Sequence, residues 1–141
     1  MISSALLIQG IPVECINQAA VTYYVPAKTI IAVLATEGGE VGMASANKNG
    51  TYDYGPMQIN TIWLKRIESY GYTKAQLQYD PCVNVMVGTW ILSQEIADGK
   101  DYWGGVGNYH SHTIDLNHTY QAKVKYRLNI LNHCLAQTDT P

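Results

Sequence analysis

Apolar side chains recur at helical spacing along most of this chain, and the spacing breaks in one place, between Gly38 and Asn60. Val13, Ile16, Ala19, Ala20 and Tyr23 share one face, which predicts a first helix. Val25-Pro26 closes it, because the residue before a proline is pushed out of the helical region. A second, strongly apolar helix is expected from Pro26, where a missing N–H costs nothing, to Glu37, where Gly38 and Gly39 suit a left-handed cap. Within the break, Asn47-Lys48-Asn49-Gly50 carries turn signals and Thr51-Tyr52-Asp53-Tyr54 favours extended backbone, so a short β-hairpin or a folded loop is expected there. Helical spacing resumes after Asn60-Thr61, a capping pair for a helix through Trp63, Leu64 and Ile67, and Thr73 caps another short turn. The clearest period follows: Val83, Met86, Val87, Trp90 and Ile91, with Asp80 as cap, Pro81 at the first position and Gly99 past the end. This is the expected core helix. Residues 101–111 are rich in glycine and aromatics, helical only with support from their surroundings. Tyr120, Val124, Leu128, Leu131 and Leu135 form the stripe of a closing helix expected to pack on the rest.

The pattern therefore predicts a mainly α fold with a short β-hairpin or folded loop. At 141 residues it has room for one core, so a single domain is expected over 13–136, with tails at 1–12 and 137–141. The first ten residues hold a brief apolar patch, Ala5 to Ile8, without the basic flank or length of a secretory signal; they read as a signal remnant or a tail. The longest uninterrupted apolar run, 30–35, is too short to span a bilayer.

Composition narrows the partners. Net charge is −2 with nine basic residues in no cluster, which argues against nucleic acid and against an anionic membrane surface. Eleven Tyr and three Trp stand beside no Phe, so every aromatic ring carries a polar handle. Most such rings pack at core and boundary positions, but they also suit wet clefts that hold sugars. Cys15, Cys82 and Cys134 are far apart and show neither zinc-site nor redox-motif spacing. One disulfide and one free thiol fit an oxidising compartment, with the pairing open at this point.

Chemistry concentrates at the break. Glu37 is the last side chain of an apolar helix, where burial and the negative end of the macrodipole both disfavour its anion and raise its pKa. A carboxylic acid kept protonated near neutrality can protonate a leaving oxygen, as glycosidic cleavage requires. The ordinary alternative is a helix-end glutamate that reaches water. Glu40 and Asp53 flank the same glycine-rich connection, allowing a single acid or an acid–base pair across a cleft. Gln58 and Asn60 alternate along what reads as an extended piece, so both amides are expected on one side; backbone satisfaction and capping are the plain alternative for Asn60. His110, His112, Asp115 and His118 are metal-compatible side chains at a spacing that matches no metal motif, and neither metal nor cofactor is expected. No nucleophile elbow or phosphate-cradling loop is present.

Several segments then fall into one order and spacing: Glu37-Gly38, the run Asn49-Gly50-Thr51-Tyr52-Asp53-Tyr54-Gly55-Pro56-Met57-Gln58-Ile59-Asn60, Asp80-Pro81-Cys82-Val83-Asn84, Gly88-Thr89-Trp90-Ile91-Leu92, and Val106-Gly107-Asn108-Tyr109-His110-Ser111. In this they resemble the small soluble lytic transglycosylases, and more narrowly the type associated with bacterial secretion, conjugation and pilus systems. The resemblance covers about residues 15–135. It implies a lysozyme-like fold, a monomer in the periplasm or exported cell envelope, and peptidoglycan glycan strands as substrate, with components of a secretion, conjugation or pilus apparatus as partners. Glu37 matches the family's single catalytic acid, whose product is a 1,6-anhydro sugar. Gly55, Met57, Gln58 and Asn60 match the motif that lines the cleft, and Tyr109 matches the tyrosine whose hydroxyl lies near the acid. Asp53 and His110 are placed in support. Cys15 and Cys82 fall where small secreted members carry a bridging pair, worth on the order of 4 kcal/mol in the chain-entropy model. Two positions depart from the family pattern: Gly38 stands where Ser is usual, and His110 stands where Asn is usual, bringing a titratable group to the cleft. Competing expectations are a hydrolytic lysozyme using Asp53 or Glu40 as base, a noncatalytic glycan-binding assembly protein, and an intracellular helical domain.

Overall fold

A computed structural model describes residues 6–138, so the expectations for residues 1–5 and 139–141 lie outside the described residues. Two short strands open it, β1 (Leu7–Ile8) and β2 (Ile11–Pro12), paired antiparallel. This segment was expected to be a tail or a signal remnant, and its described part is folded onto the body: Ile11 is fully buried, and the Gln9 amide donates to the carbonyls of Leu34 and Gly39 at 3.1 and 3.3 Å.

Helices α1 (Val13–Tyr23) and α2 (Ala27–Glu37) follow as expected. Pro26 sits at the N-cap of α2, and Gly38 ends it at φ 65°, its N–H donating to Leu34 at 3.0 Å. Ile30, Val33 and Leu34 are fully buried, each worth about 1.5–3 kcal/mol of transfer free energy, which fixes the rotation of α2 and hence the direction of Glu37.

The break in helical spacing holds a three-stranded antiparallel sheet, β3 (Ala44–Ala46), β4 (Tyr52–Tyr54) and β5 (Ile59–Asn60), one strand more than a hairpin. Asp53 pairs with Asn60, and Tyr54 with Ile59. A 3-10 turn (Thr61–Trp63) capped by the Asn60 side chain leads into α3 (Leu64–Ser69). Helix α4 (Lys74–Tyr79) starts at a full capping box from Thr73 and Gln76.

Helix α5 (Pro81–Asp98) is the core helix the sequence predicts, with Asp80 accepting from the N–H groups of Cys82 and Val83. Its buried Asn84 ties three pieces together: Oδ1 accepts from Met57 N–H, and Nδ2 donates to the carbonyls of Tyr54 and Leu77, all within 2.8–2.9 Å. A disulfide joins Cys15 on α1 to Cys82 at the start of α5, while Cys134 is exposed.

The glycine-rich stretch is helix α6 (Tyr102–His110). Each interior glycine weakens a helix by about 1 kcal/mol relative to Ala. Packing offsets this, because a Cβ on Gly105 would strike the α5 backbone at Ile96, and one on Gly107 would strike Asn117. Helix α7 (Ile114–Thr138) closes the fold against α2 and α6. Tyr120 and Val124 are buried as expected, but the stripe does not pack to its end: Leu131 is half-buried and Leu135 is 39% exposed. At 1.5 Å per residue, its 25 residues run roughly 37 Å. Among the described residues no single helix is long and apolar enough to cross a membrane.

Candidate active site

Glu37 ends α2 on the wall of a cleft of about 660 Å³. Strands β4 and β5 and the 47–51 turn form one side, α5 the floor, and the end of α6 the other side. Helix α2 brings the carboxyl to the cleft because its apolar face is locked below and Gly38 turns the chain away at once.

Burial, aided by the nearby charge of Asp53, pushes the Glu37 carboxyl up to about 7. The Tyr120 hydroxyl donates to Glu37 Oε2 at 2.6 Å and, with Lys123, opposes that rise. Burial and the adjacent carboxylate in turn push the Tyr120 phenol far above its usual range, so it remains a donor. The ring of His110 stacks on that of Tyr120, with centroids 4.9 Å apart and planes 8° from parallel. Partial burial and Lys123 lower the His110 pKa, and Asp53 opposes them.

The expected site residues separate into two groups. Glu37, Asp53, Gln58, Asn60, Tyr109 and His110 all line the cleft. Gly55 and Met57 do not. Met57 is fully buried against Gly88, and Gly55, at φ 66°, lies so close to Asn84 and the Leu77 carbonyl that no side chain fits. They shape the loop from below rather than touch what lies in the cleft. Gln58 also departs from the extended reading: its φ is +52°, and its Nε2 donates to the Gly55 carbonyl at 2.9 Å. Asn60 acts as a cap and a brace, accepting from Ile62 N–H at 3.1 Å and donating to Asp53 Oδ1 at 2.8 Å.

The Tyr109 hydroxyl was expected near the acid, where it could orient the carboxyl; Tyr109 lies in the same cleft and near enough for the Glu37 charge to act on it, but its hydrogen bond goes elsewhere. Its hydroxyl donates to the Met57 carbonyl at 2.7 Å, pinning the 55–58 loop to α6, and Tyr120 is the phenol bonded to Glu37. Burial, with Glu37 and Asp53 nearby, pushes the Tyr109 phenol well above its usual range. Tyr120 was read only as part of the core stripe; its signal was a hydroxyl at a core position, which needs a partner when buried. Glu40 lies elsewhere, exposed beside Gln9 and Val41 in a separate depression. Glu95 was missed altogether. It lines the cleft from α5, with His112 Nε2 2.8 Å from its Oε2. The metal-compatible residues go separate ways, His110 to Tyr120 and His112 to Glu95.

A helical domain that holds a carboxylic acid near neutrality on the wall of an open cleft is built as a lysozyme-like, glycan-directed domain. A family model for the transglycosylase SLT domain matches residues 14–129, and the chain belongs to that family. Its role is that of a lytic transglycosylase acting on peptidoglycan. The chain is similar to the invasion protein IagB of Salmonella typhimurium, 31% identical over 116 residues, which cover 79% of this chain and 72% of IagB. It is 31% identical to protein IpgF of Shigella flexneri over 101 residues, covering 71% and 66% of the two chains. A peptidoglycan-binding-like protein of Escherichia coli O157:H7 is 28% identical over 105 residues, covering 69% and 63%.

Proposed function

We propose that Glu37 is the single catalytic group and serves first as acid, then as base. As a neutral carboxylic acid it protonates the oxygen between N-acetylmuramic acid and N-acetylglucosamine, and the C1–O bond breaks. The carboxylate so formed accepts the proton of the muramoyl C6 hydroxyl while that oxygen bonds to C1. The product is a 1,6-anhydromuramoyl end, and no water is consumed. The observation that carries this reading is the Glu37 carboxyl itself, raised to about 7 by burial and hydrogen-bonded by Tyr120 on the cleft wall. A pKa near the working pH lets one group give and take a proton in the same turnover. Tyr120 steadies the carboxylate between the two steps. Gln58, Asn60 and Asp53 form the wall against which the glycan lies.

A hydrolytic second reading draws on Asp53, which lines the same cleft and could direct a water. Glu40, away from the cleft, has no part in it. Mass spectrometry of digested peptidoglycan separates the two: anhydromuramoyl products are expected, and reducing ends alone would replace the transglycosylase step with hydrolysis. Glu37→Gln is expected to lower the rate at least about a hundredfold. Undiminished cleavage would remove Glu37 from the mechanism.

The Cys15–Cys82 bridge fits an oxidising compartment, and we place the protein in the periplasm or exported envelope. Kinship with a protein named for invasion supports local wall opening for an envelope-spanning secretion, conjugation or pilus machine.

A further inference from the structure

Asn108 and His112 belong to two cavities at once. On one side is the cleft; on the other is a shallower basin of about 780 Å³, lying between the start of α6 and the first turns of α7. The basin and the cleft adjoin at these two side chains, so a branch leaving a ligand in the cleft on this side meets the basin.

Charge divides sharply between the two. The cleft lining carries three carboxyl groups, Glu37, Asp53 and Glu95, against one lysine, Lys48. The basin lining carries Lys100 and Lys125 against one carboxylate, Asp101. That carboxylate is occupied as the cap of α6, accepting from Gly104 N–H at 2.6 Å. Neither lysine forms an ion pair among the described residues. The Lys125 ammonium lies 5.0 Å from the centre of the Trp103 ring, which holds it at the basin wall. The Asn117 amide nitrogen is already spent on Gly104, Asn108 and Ser111, which leaves the two lysines as the basin's permanent positive charges.

Peptidoglycan has the matching division. Its sugar rings are uncharged, while short peptides, attached to each muramoyl ring through a lactyl ether, carry carboxylates and leave the glycan axis sideways. We propose that the basin receives the stem peptide of a muramoyl residue seated in the cleft, with Lys100 and Lys125 facing its carboxylates and Trp103 its aliphatic portion. This rests on the peptidoglycan reading of the cleft. The two lysines draw those carboxylates toward the basin and so bias which way the branch points.

The test compares glycan strands bearing peptides with the same strands stripped by an amidase, using the full chain and the variants Lys100→Glu, Lys125→Glu and both together. On peptide-bearing strands the double variant is expected to raise KM roughly fivefold with kcat unchanged, on the scale of two exposed ion pairs. On stripped strands neither constant should move. Equal changes on both substrates, or none on either, would overturn the proposal. Equilibrium binding of the two substrates to Glu37→Gln, with and without the lysine changes, reads the same contact without turnover. If the chain binds peptide-bearing strands in a lysine-dependent way yet releases no anhydro product, the cleavage chemistry fails while the basin stands.

Discussion

The hydroxyl of Tyr120 donates to the carboxyl of Glu37 at 2.6 Å, joining the second turn of α7 to the end of α2 across 83 residues of sequence. This bond favours the carboxylate and so holds the Glu37 pKa below where burial alone would set it. Tyr120→Phe removes it while keeping the ring and its stack with His110. The alkaline limb of the pH–rate profile, expected at about 7 in the parent protein from the Glu37 carboxyl, should then move upward. The maximal rate is expected to fall about tenfold, because a charge-assisted hydrogen bond is worth about 1.5–3 kcal/mol and only part of it is specific to the carboxylate step. A downward shift of the limb would contradict the assignment.

Glu37 also makes folding stability depend on pH. Its pKa is about 7 in the fold against an ordinary value of 4.5, so between these values the native state binds more protons than the unfolded state. Stability from this group is therefore greatest in acid and falls as pH rises through that window. The whole span amounts to roughly 3 kcal/mol at 1.36 kcal/mol per unit. Denaturant unfolding at pH 5 and pH 8 is expected to show most of this loss in the parent protein and its absence in Glu37→Gln. A parent protein that gains stability from this group with rising pH would refute the burial argument.

Gly38 and Gly39 stand side by side but answer to different demands. Gly38 needs a left-handed φ of 65° and has open space where a Cβ would go, so Gly38→Ser should cost only about 1 kcal/mol and leave activity nearly intact. Gly39 lies beneath the 55–58 loop, where a Cβ would strike the Gly55 carbonyl and lie 2.8 Å from that of Pro56. Gly39→Ala must push this backbone off α2, at about 3 kcal/mol or more with a large loss of activity. Thermal unfolding and wall-cleavage rates of the two variants check the contrast. Equal effects would show that the loop yields freely.

Much of this protein was legible along the chain because its signals are local. Capping residues such as Asp80 and Thr73 act within one turn, and apolar periodicity records which face of each helix is buried. That Glu37 ends an apolar helix, and so faces a cost on ionising, follows from neighbours three and four residues away. The motif run from Asn49 to Asn60 marked the cleft by resemblance, though not what each member does there.

What only the tertiary structure decided involves partners distant in sequence. Tyr120 rather than Tyr109 meets Glu37 because the packing of α7 on α2 sets which phenol reaches the carboxyl. Met57 turns inward because Gly88 leaves room for it on α5, and Gln58 leaves the extended region because the 55–58 turn closes on its own carbonyl. Glu95 carried no distinguishing mark among the residues of a core helix and became a cleft residue only when the end of α6 folded over it. The chain thus determined its helices, its caps and the unfavourable placement of one carboxylate through short-range sterics and burial. The partners of that carboxylate, and the division of charge around it, arise from helix packing, which no local pattern encodes.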